Sequence, residues 1–145
     1  MNIQKSTDEL LKILNAEEEI ESYIEENNED LINLSLSDYL DDMLKKYNIS
    51  KNEAINNSAL NQIYGYQIFD GKKKSPSRDK LIQLIFGLGL DVTDAQRLLK
   101  IAGVNELYPR IKRDSIIIFA INKKVSVSEC DELLFELGEE TILKD

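Results

Sequence analysis

Apolar residues recur at three- and four-residue spacing through nearly the whole chain, and this periodicity restricts the possible folds more than any other feature. Most of the periodic segments begin at a serine or threonine suited to an N-cap and stop at a glycine or asparagine. Residues 115–121 (SIIIFAI) have high β-propensity. However, the sequence holds no second β-rich segment, and a lone strand leaves its backbone groups unpaired. The sequence therefore predicts an all-α protein.

The helix ends can be predicted from the same signals. Helices are predicted over residues 60–69, 78–88 and 114–122, and a last helix is predicted to end near Leu137. The predicted N-caps are Thr7, Ser37, Ser50, Thr93 and, for the last helix, Ser126 or Ser128. Ser50 has Glu53 three residues further on, which is the capping-box spacing.

The residue types exclude most catalytic chemistry. The chain has no histidine and a single cysteine, Cys130, so it can form neither an intramolecular disulfide, nor a Cys/His zinc site, nor a Ser-His-Asp triad. No glycine-rich phosphate loop or metal-ligand spacing is present in the sequence. We therefore expect a protein that is not an enzyme and uses no cofactor. The longest apolar run, residues 116–121, is too short to span a bilayer, and the acidic N-terminal residues do not resemble a signal peptide. The expected location is the cytoplasm.

The charge is distributed very unevenly along the chain. Of the net charge of −9, residues 1–36 hold ten acidic and two basic side chains, residues 37–103 eight and ten, and residues 104–145 nine and six. These blocks predict an acidic amphipathic N-terminal arm (1–36), a helical domain (37–103) and a C-terminal helical extension forming a hairpin (104–145). Residues 70–80 (DGKKKSPSRDK) carry five bases and two acids. Such a basic patch can bind phosphates even when the protein as a whole is acidic, although a solubilising loop is the plainer interpretation.

A motif near the centre of the chain gives the most specific indication of function. A short helix capped by Ser50 is followed by a turn at 57–59, by a helix that opens with polar residues, and by the glycine-lysine turn at Gly71 and Lys72. Pro76 and Ser77 then precede an aliphatic helix. Over about 37–103 this pattern resembles the lambda-repressor-like, or Xre-type, helix-turn-helix family of prokaryotic and phage transcriptional regulators. The resemblance implies a five-helix unit that places its third helix in the major groove of double-stranded DNA.

The resemblance also implies a set of DNA-contacting residues. The base-reading residues would be Asn61, Gln62, Ile63, Tyr66 and Gln67. The phosphate-contacting residues would be Lys51, Tyr64, Lys72, Lys73, Lys74, Ser77 and Arg78. Amide side chains can contact adenine in two places, and isoleucine can meet a thymine methyl group. Because the helix at 60–69 contains no lysine or arginine, we expect an A/T-biased site.

Two departures from the family pattern leave a second interpretation open. Gly65 stands where the family has a buried aliphatic residue, which predicts a gap for Phe69 or Tyr66 to fill, and Phe69 stands where a glutamate is common. The alternative is an acidic helical interaction module or adaptor that keeps the helix-turn-helix fold without binding DNA. The sequence also leaves open a homodimer through the aliphatic C-terminal helices and a protein partner for the acidic arm.

Overall fold

The computed structural model describes residues 5–16, 19–26 and 35–144, and within these ranges every regular element is a helix, which confirms the all-α prediction. The helices are α1 (Thr7–Ala16), α2 (Ile20–Glu26), α3 (Leu36–Lys46), α4 (Lys51–Asn57), α5 (Gln62–Phe69), α6 (Arg78–Leu88), α7 (Val92–Ile101), α8 (Lys112–Lys123) and α9 (Val127–Glu136). None of these helices is both long enough and apolar enough to cross a membrane. The chain divides into two compact units, 1–33 and 34–145.

The first unit contains α1 and α2, which contact each other. Ser6 rather than the predicted Thr7 caps α1, because its Oγ accepts a hydrogen bond from the backbone N–H of Glu9 at 3.1 Å. Leu11 is 55% exposed, and Leu14 on the same helix is exposed too. Residues 1–4, 17, 18 and 27–34 of the predicted acidic arm lie outside the described residues.

The N-caps of the second unit agree with the sequence predictions at two helices and differ at two others. Ser50 caps α4 as predicted, with its side chain accepting a hydrogen bond from the backbone N–H of Glu53, and Ser126, one of the two residues predicted for it, caps α9. The complete capping box lies at Ser126 and Glu129, where it was not predicted. The caps predicted at Ser37 and Thr93 are wrong, because α3 is capped by Ser35 and α7 by Asp91. In both cases the chain is already helical at the predicted residue, and the extended backbone that a cap requires lies two residues earlier.

Helix α6 is the centre of the second unit. Its side chains at Leu81, Ile82, Leu84 and Ile85 have no exposed surface, since α4, α7 and α9 all pack against it. A helix that is apolar around most of its circumference must be covered on all sides. The largely apolar segment of residues 81–88 therefore becomes the core around which the other helices of this unit are arranged.

Helices α3 and α7 are joined through the buried carboxylate of Asp94. Its Oδ2 accepts hydrogen bonds from Lys46 Nζ at 2.8 Å and Tyr47 OH at 2.6 Å, while Tyr39 OH donates to its backbone carbonyl at 2.9 Å. Burial opposes ionisation, but the hydrogen bonds from Lys46 and Tyr47, together with the positive charges of Lys46 and Arg97, outweigh it and hold the pKa of Asp94 below its usual value. Burial and the neighbouring Asp94 raise the pKa of Tyr39 to about 12.

Two reciprocal ion pairs join the beginnings of α6 and α8. Arg78 binds both carboxylate oxygens of Asp114 at 3.1 and 2.8 Å, and Arg113 binds both oxygens of Asp79 at 3.0 and 3.2 Å. The run at 115–121 is helical within α8, which confirms the prediction of helix over strand. Its Ile117 is fully buried. The C-terminal helices thus belong to the same compact unit as α3–α7.

Candidate functional site

Helices α4 and α5 are joined by a tight turn that fixes where α5 begins. Ser58 ends α4, Ala59 takes a left-handed backbone conformation with φ of 58°, and Leu60 is buried. Asn61 caps α5 by accepting a hydrogen bond from the backbone N–H of Tyr64 at 3.2 Å. Helix α5 therefore starts two residues later than predicted, because Leu60 is held in the core and the amide of Asn61 takes the cap position.

The buried side of α5 packs closely on α4. A Cβ added to Gly65 would lie 2.7 Å from Cγ2 of Ile55, whose side chain is fully buried. Phe69 is buried elsewhere along the helix, and Tyr66 is exposed. The predicted gap at Gly65 is therefore wrong, since Ile55 occupies that space. Glycine at this position lets the two helices approach each other.

The outward side of α5 carries uncharged polar and apolar side chains. Gln62 and Tyr66 are exposed, and Ile63 is 71% exposed. Gln62 Nε2 donates to Asn56 Oδ1 at 3.2 Å, and Tyr66 OH donates to Asn52 Oδ1 at 3.5 Å. The two asparagines on α4 were missed at the sequence level, although their spacing of four residues places them on one face of the helix.

The C-terminal end of α5 positions a loop of three lysines. Lys72, Lys73 and Lys74 are all exposed. The backbone N–H groups of Lys72 and Lys73 donate to the carbonyl of Gln67 at 2.9 and 3.1 Å, and Gly71 supplies the left-handed residue with φ of 83°. The Gln67 side chain is only partly accessible, so it is less available for base contacts than Gln62.

Tyr64 lies beside two of the lysines. Its ring centroid is 5.9 Å from Lys73 Nζ and 5.8 Å from Lys80 Nζ, distances at which an ammonium group is attracted to an aromatic face. Lys80 was not predicted, because it belongs to the first turn of α6 and only the tertiary structure brings it to Tyr64. Tyr64 thus gathers two cations at one edge of α5.

Two other predicted phosphate contacts have partners within the chain. Lys51 Nζ lies 3.9 Å from Asp70 Oδ1 and 5.7 Å from the ring of Phe69, and its side chain is half-buried. Ser77 caps α6, with its hydroxyl accepting a hydrogen bond from the backbone N–H of Lys80 at 3.3 Å. Lys51 is the first residue of α4 and Ser77 is the N-cap of α6, so each of them stabilises local structure.

Arg78 does not join the predicted set of phosphate contacts. Besides the Asp114 carboxylate, its guanidinium donates to the carbonyls of Asn105 at 2.9 Å and Glu106 at 3.0 Å. These bonds occupy most of its five donors. The prediction of Arg78 as a phosphate contact is therefore wrong. The sequence gave no sign that Asp114 would bind its guanidinium group.

Most of the net negative charge of the protein lies in residues 1–33, outside the segment that contains α5 and the lysine loop. Residues 34–145 contain sixteen basic and seventeen acidic side chains, whereas residues 1–33 contain two and ten. No Asp, Glu, Lys or Arg occurs between Asn61 and Phe69. The second unit is therefore nearly neutral, with an uncharged α5 face beside the lysine loop.

The chain matches no protein-family model, no curated protein and no solved structure in the comparisons. Within residues 5–16, 19–26 and 35–144, no three Cys, Asp or Glu side chains are grouped as metal ligands would be.

Proposed function

We propose that the protein is a sequence-specific DNA-binding transcriptional regulator in which α4 and α5 act as a helix-turn-helix and α5 enters the major groove. The proposal also takes α3–α7 as a lambda-repressor-like unit. The observation that carries it is the outward face of α5. This face presents amide, phenol and aliphatic groups without any charge, and the exposed lysines of residues 72–74 follow it directly. Amide and aliphatic groups can read base edges, and neighbouring cations can hold phosphates.

The hydrogen bond between Gln62 and Asn56 supports adenine recognition. An amide nitrogen carries two hydrogens, and Gln62 Nε2 uses one of them on Asn56. The second hydrogen and Oε1 remain for a base edge. A donor beside an acceptor matches the acceptor N7 and the amino group N6 that adenine presents in the major groove. Ile63, exposed next to Gln62, suits a thymine methyl group. An A/T-biased site follows from these two residues and from the absence of arginine and lysine in α5.

The lysines supply the sequence-independent part of the affinity. Lys72 and Lys73 are fixed to the end of α5 through the Gln67 carbonyl, so their ammonium groups start from a defined position relative to the bases. Lys73 and Lys80 both lie beside Tyr64, which concentrates positive charge at one edge of the helix. Each phosphate neutralised in this way releases counterions and makes binding dependent on salt.

The experiment that tests this function is binding-site selection from random double-stranded DNA with the full chain, followed by affinity measurements on the selected sites. We expect A/T-rich half-sites, and a Gln62→Ala/Gln67→Ala variant that folds normally should lose preference for them over unrelated DNA. A matched control is Gln96→Ala, which removes an amide on α7 that binds the backbone of Leu107 instead. G/C-dominated half-sites, or a double variant with unchanged preference, would contradict the recognition model.

A protein-interaction module is the second candidate, and the exposure of Ile63 favours it. Large apolar side chains on an outward helix face are typical of protein interfaces as well as of thymine contacts. Such an adaptor would show no DNA binding at any salt concentration, and Ile63→Ser would then abolish capture of a protein partner. This alternative is excluded if the native chain binds DNA site-specifically and the Gln62→Ala/Gln67→Ala variant loses that binding.

A further inference from the structure

A cavity of about 450 Å³ lies where the start of α3, the lysine loop and the end of α7 meet. This volume falls within the range of about 300–1,000 Å³ that is typical of small-molecule sites. Leu36, Ile101 and Ala102 give the cavity an aliphatic lining, and all three residues are only half-buried. The cavity therefore presents apolar surface that the rest of the chain does not fully cover.

The walls of the cavity are held in place by contacts between helices. Ser37 Oγ donates to the backbone carbonyl of Phe69 at 2.5 Å, which ties the first turn of α3 to the end of α5. Gly71 lies close to the same serine, since a Cβ added to it would be 3.7 Å from Cβ of Ser37. Helices α3 and α7 also contact each other. The cavity is thus a preformed part of the second unit.

The charge of the cavity lining is positive. Lys73 and Lys74 line the cavity, and no acidic side chain is among the described residues around it. Lys73 Nζ also lies 5.9 Å from the ring of Tyr64. Within the described ranges, the ammonium group of Lys74 has no hydrogen bond, ion pair or ring contact. Lys74 is therefore an unpaired cation next to exposed aliphatic surface.

We propose that this cavity binds a small amphipathic anion, with its carboxylate at Lys73 and Lys74 and its hydrocarbon part on the aliphatic lining. A ligand site of this kind needs apolar contact for affinity and a few polar groups for orientation. An inorganic phosphate would leave the aliphatic side chains exposed, and an uncharged hydrocarbon would leave the ammonium groups unpaired. A nucleic acid would offer phosphates to the lysines but no hydrocarbon to the lining. An amphipathic carboxylate satisfies both parts of the cavity.

Occupation of the cavity should weaken DNA binding. The proposed function assigns Lys73 and Lys74 to DNA phosphates, and a lysine neutralised by the ligand has less charge to offer a phosphate. By linkage, DNA should weaken binding of the ligand by the same factor. This step rests on the proposed function, whereas the ligand site itself depends only on the cavity.

The first test is titration of the full chain with octanoate in the absence of DNA, followed by calorimetry and two-dimensional NMR spectroscopy. We expect a single site with a dissociation constant of about 1 mM or lower, and shift changes centred on Leu36, Gly71 and Ala102. Acetate, which lacks the chain, and 1-octanol, which lacks the charge, should each bind at least about tenfold more weakly. No saturation by about 10 mM octanoate, or equal affinities for octanoate and 1-octanol, would overturn the site.

Variants of the lining separate this site from general attraction to lysines. Lys74→Gln should raise the octanoate dissociation constant at least about fivefold, because it removes the unpaired cation. The matched control is Lys72→Gln, since Lys72 belongs to the same loop but does not line the cavity. Ala102→Asp should abolish octanoate binding by placing a carboxylate in the lining. Equal effects of Lys72→Gln and Lys74→Gln would contradict the assignment.

Folding of these variants is checked by far-ultraviolet circular dichroism, and none of the three positions is fully buried. The second test uses the selected DNA site and fluorescence anisotropy. Octanoate at about ten times its dissociation constant should weaken DNA binding at least about fivefold, and acetate at the same concentration should not. If octanoate binds and the DNA affinity is unchanged, shared use of the lysines is overturned. If the chain binds no DNA at any salt concentration, the proposed function fails, and the octanoate titration still decides the ligand site.

Discussion

Gly87 of α6 lies directly against Ser58 at the end of α4, so closely that a Cβ added to Gly87 would come within 1.9 Å of Ser58 Oγ. The same Cβ would lie 2.3 Å from the backbone carbonyl of Ala54. This contact sets how near α4 can come to the central helix. Because α5 packs on α4 in turn, the placement of the candidate DNA-reading face depends on a glycine in another helix.

Gly87→Ala should therefore destabilise the protein although alanine is the better helix former. Steric overlap with α4 should lower the free energy of unfolding by about 2 kcal/mol or more, measured by urea denaturation. Ser58→Ala in the same chain should not restore stability, because the Ala54 carbonyl belongs to the backbone and stays in place. The exposed Asn122→Ala on α8 serves as control and should change the unfolding midpoint little. A Gly87→Ala variant as stable as the native chain would contradict the close approach of the two helices.

Stability should fall in acid as Asp94 becomes protonated. The pKa of Asp94 is depressed in the folded state, so its stabilising effect is present above the ordinary aspartate pKa of about 4 and is lost as the pH falls through the lower folded value. Asp94→Asn should thus be clearly less stable than the native chain at pH 7. The difference should shrink as the pH falls below about 4, as followed by urea denaturation at successive pH values.

The control for this pH series is Asp41→Asn, which removes an exposed carboxylate from α3. Its effect on stability should be small at every pH. If the difference between the native chain and Asp94→Asn were constant across the series, ionisation of Asp94 would not be the source of the stabilisation.

Removal of the Arg78 guanidinium should be costly for folding. Asp114 is almost fully buried and takes two hydrogen bonds from Arg78, so Arg78→Ala leaves a charge without its main partner. We expect a loss of about 3 kcal/mol in the free energy of unfolding. Arg78→Lys should restore little of it, because an ammonium group cannot form the two-pronged contact. The exposed Arg110→Ala should be nearly neutral, and comparable losses at both positions would contradict a specific role for the Arg78–Asp114 pair.

The lysine loop should determine how strongly DNA binding depends on salt. Replacement of Lys72, Lys73 and Lys74 by glutamine should reduce the slope of log affinity against log salt by about 3, since each phosphate contact contributes roughly 0.9. The preference for the selected site over unrelated DNA should change little, because phosphate contacts carry no sequence information. Fluorescence anisotropy over a salt series measures both quantities.

A control with the same loss of charge separates local contacts from net charge. Lys45, Lys100 and Lys124 are exposed on α3, on α7 and after α8, outside the lysine loop. Their replacement by glutamine should leave the salt slope close to the native value. Equal effects of the two triple variants would contradict the assignment of the loop to phosphate binding.

The secondary structure was largely predictable from sequence because its determinants are local. The extent of α6, the serine caps at Ser50 and Ser126, and the helical state of 115–121 depend on residues within a few positions of each other. The caps at Ser37 and Thr93 were misplaced because each segment offers two capping residues two positions apart. Tertiary packing decided which of the two has the extended backbone.

The candidate site could be predicted only in part for the same reason. The exposed amide face of α5 and the lysine loop follow from residues adjacent in sequence. The partners that modify them come from elsewhere: Asp114 takes Arg78 out of the set, Lys80 joins Tyr64, and Asn56 orients Gln62. Spacing within one helix carries no information about a contact made between helices.

The sequence by itself determined that this protein is helical, that its net negative charge is concentrated near the N-terminus, and that histidine-based catalysis and intramolecular disulfides are excluded. Those properties depend on composition and on short-range periodicity. The tertiary structure alone decided how close α4 lies to α6, which cations remain on the surface, and that two lysines line the same cavity as aliphatic side chains of α3 and α7. Such properties arise when distant segments compete for the same space and the same hydrogen-bond partners, and each outcome depends on both segments together.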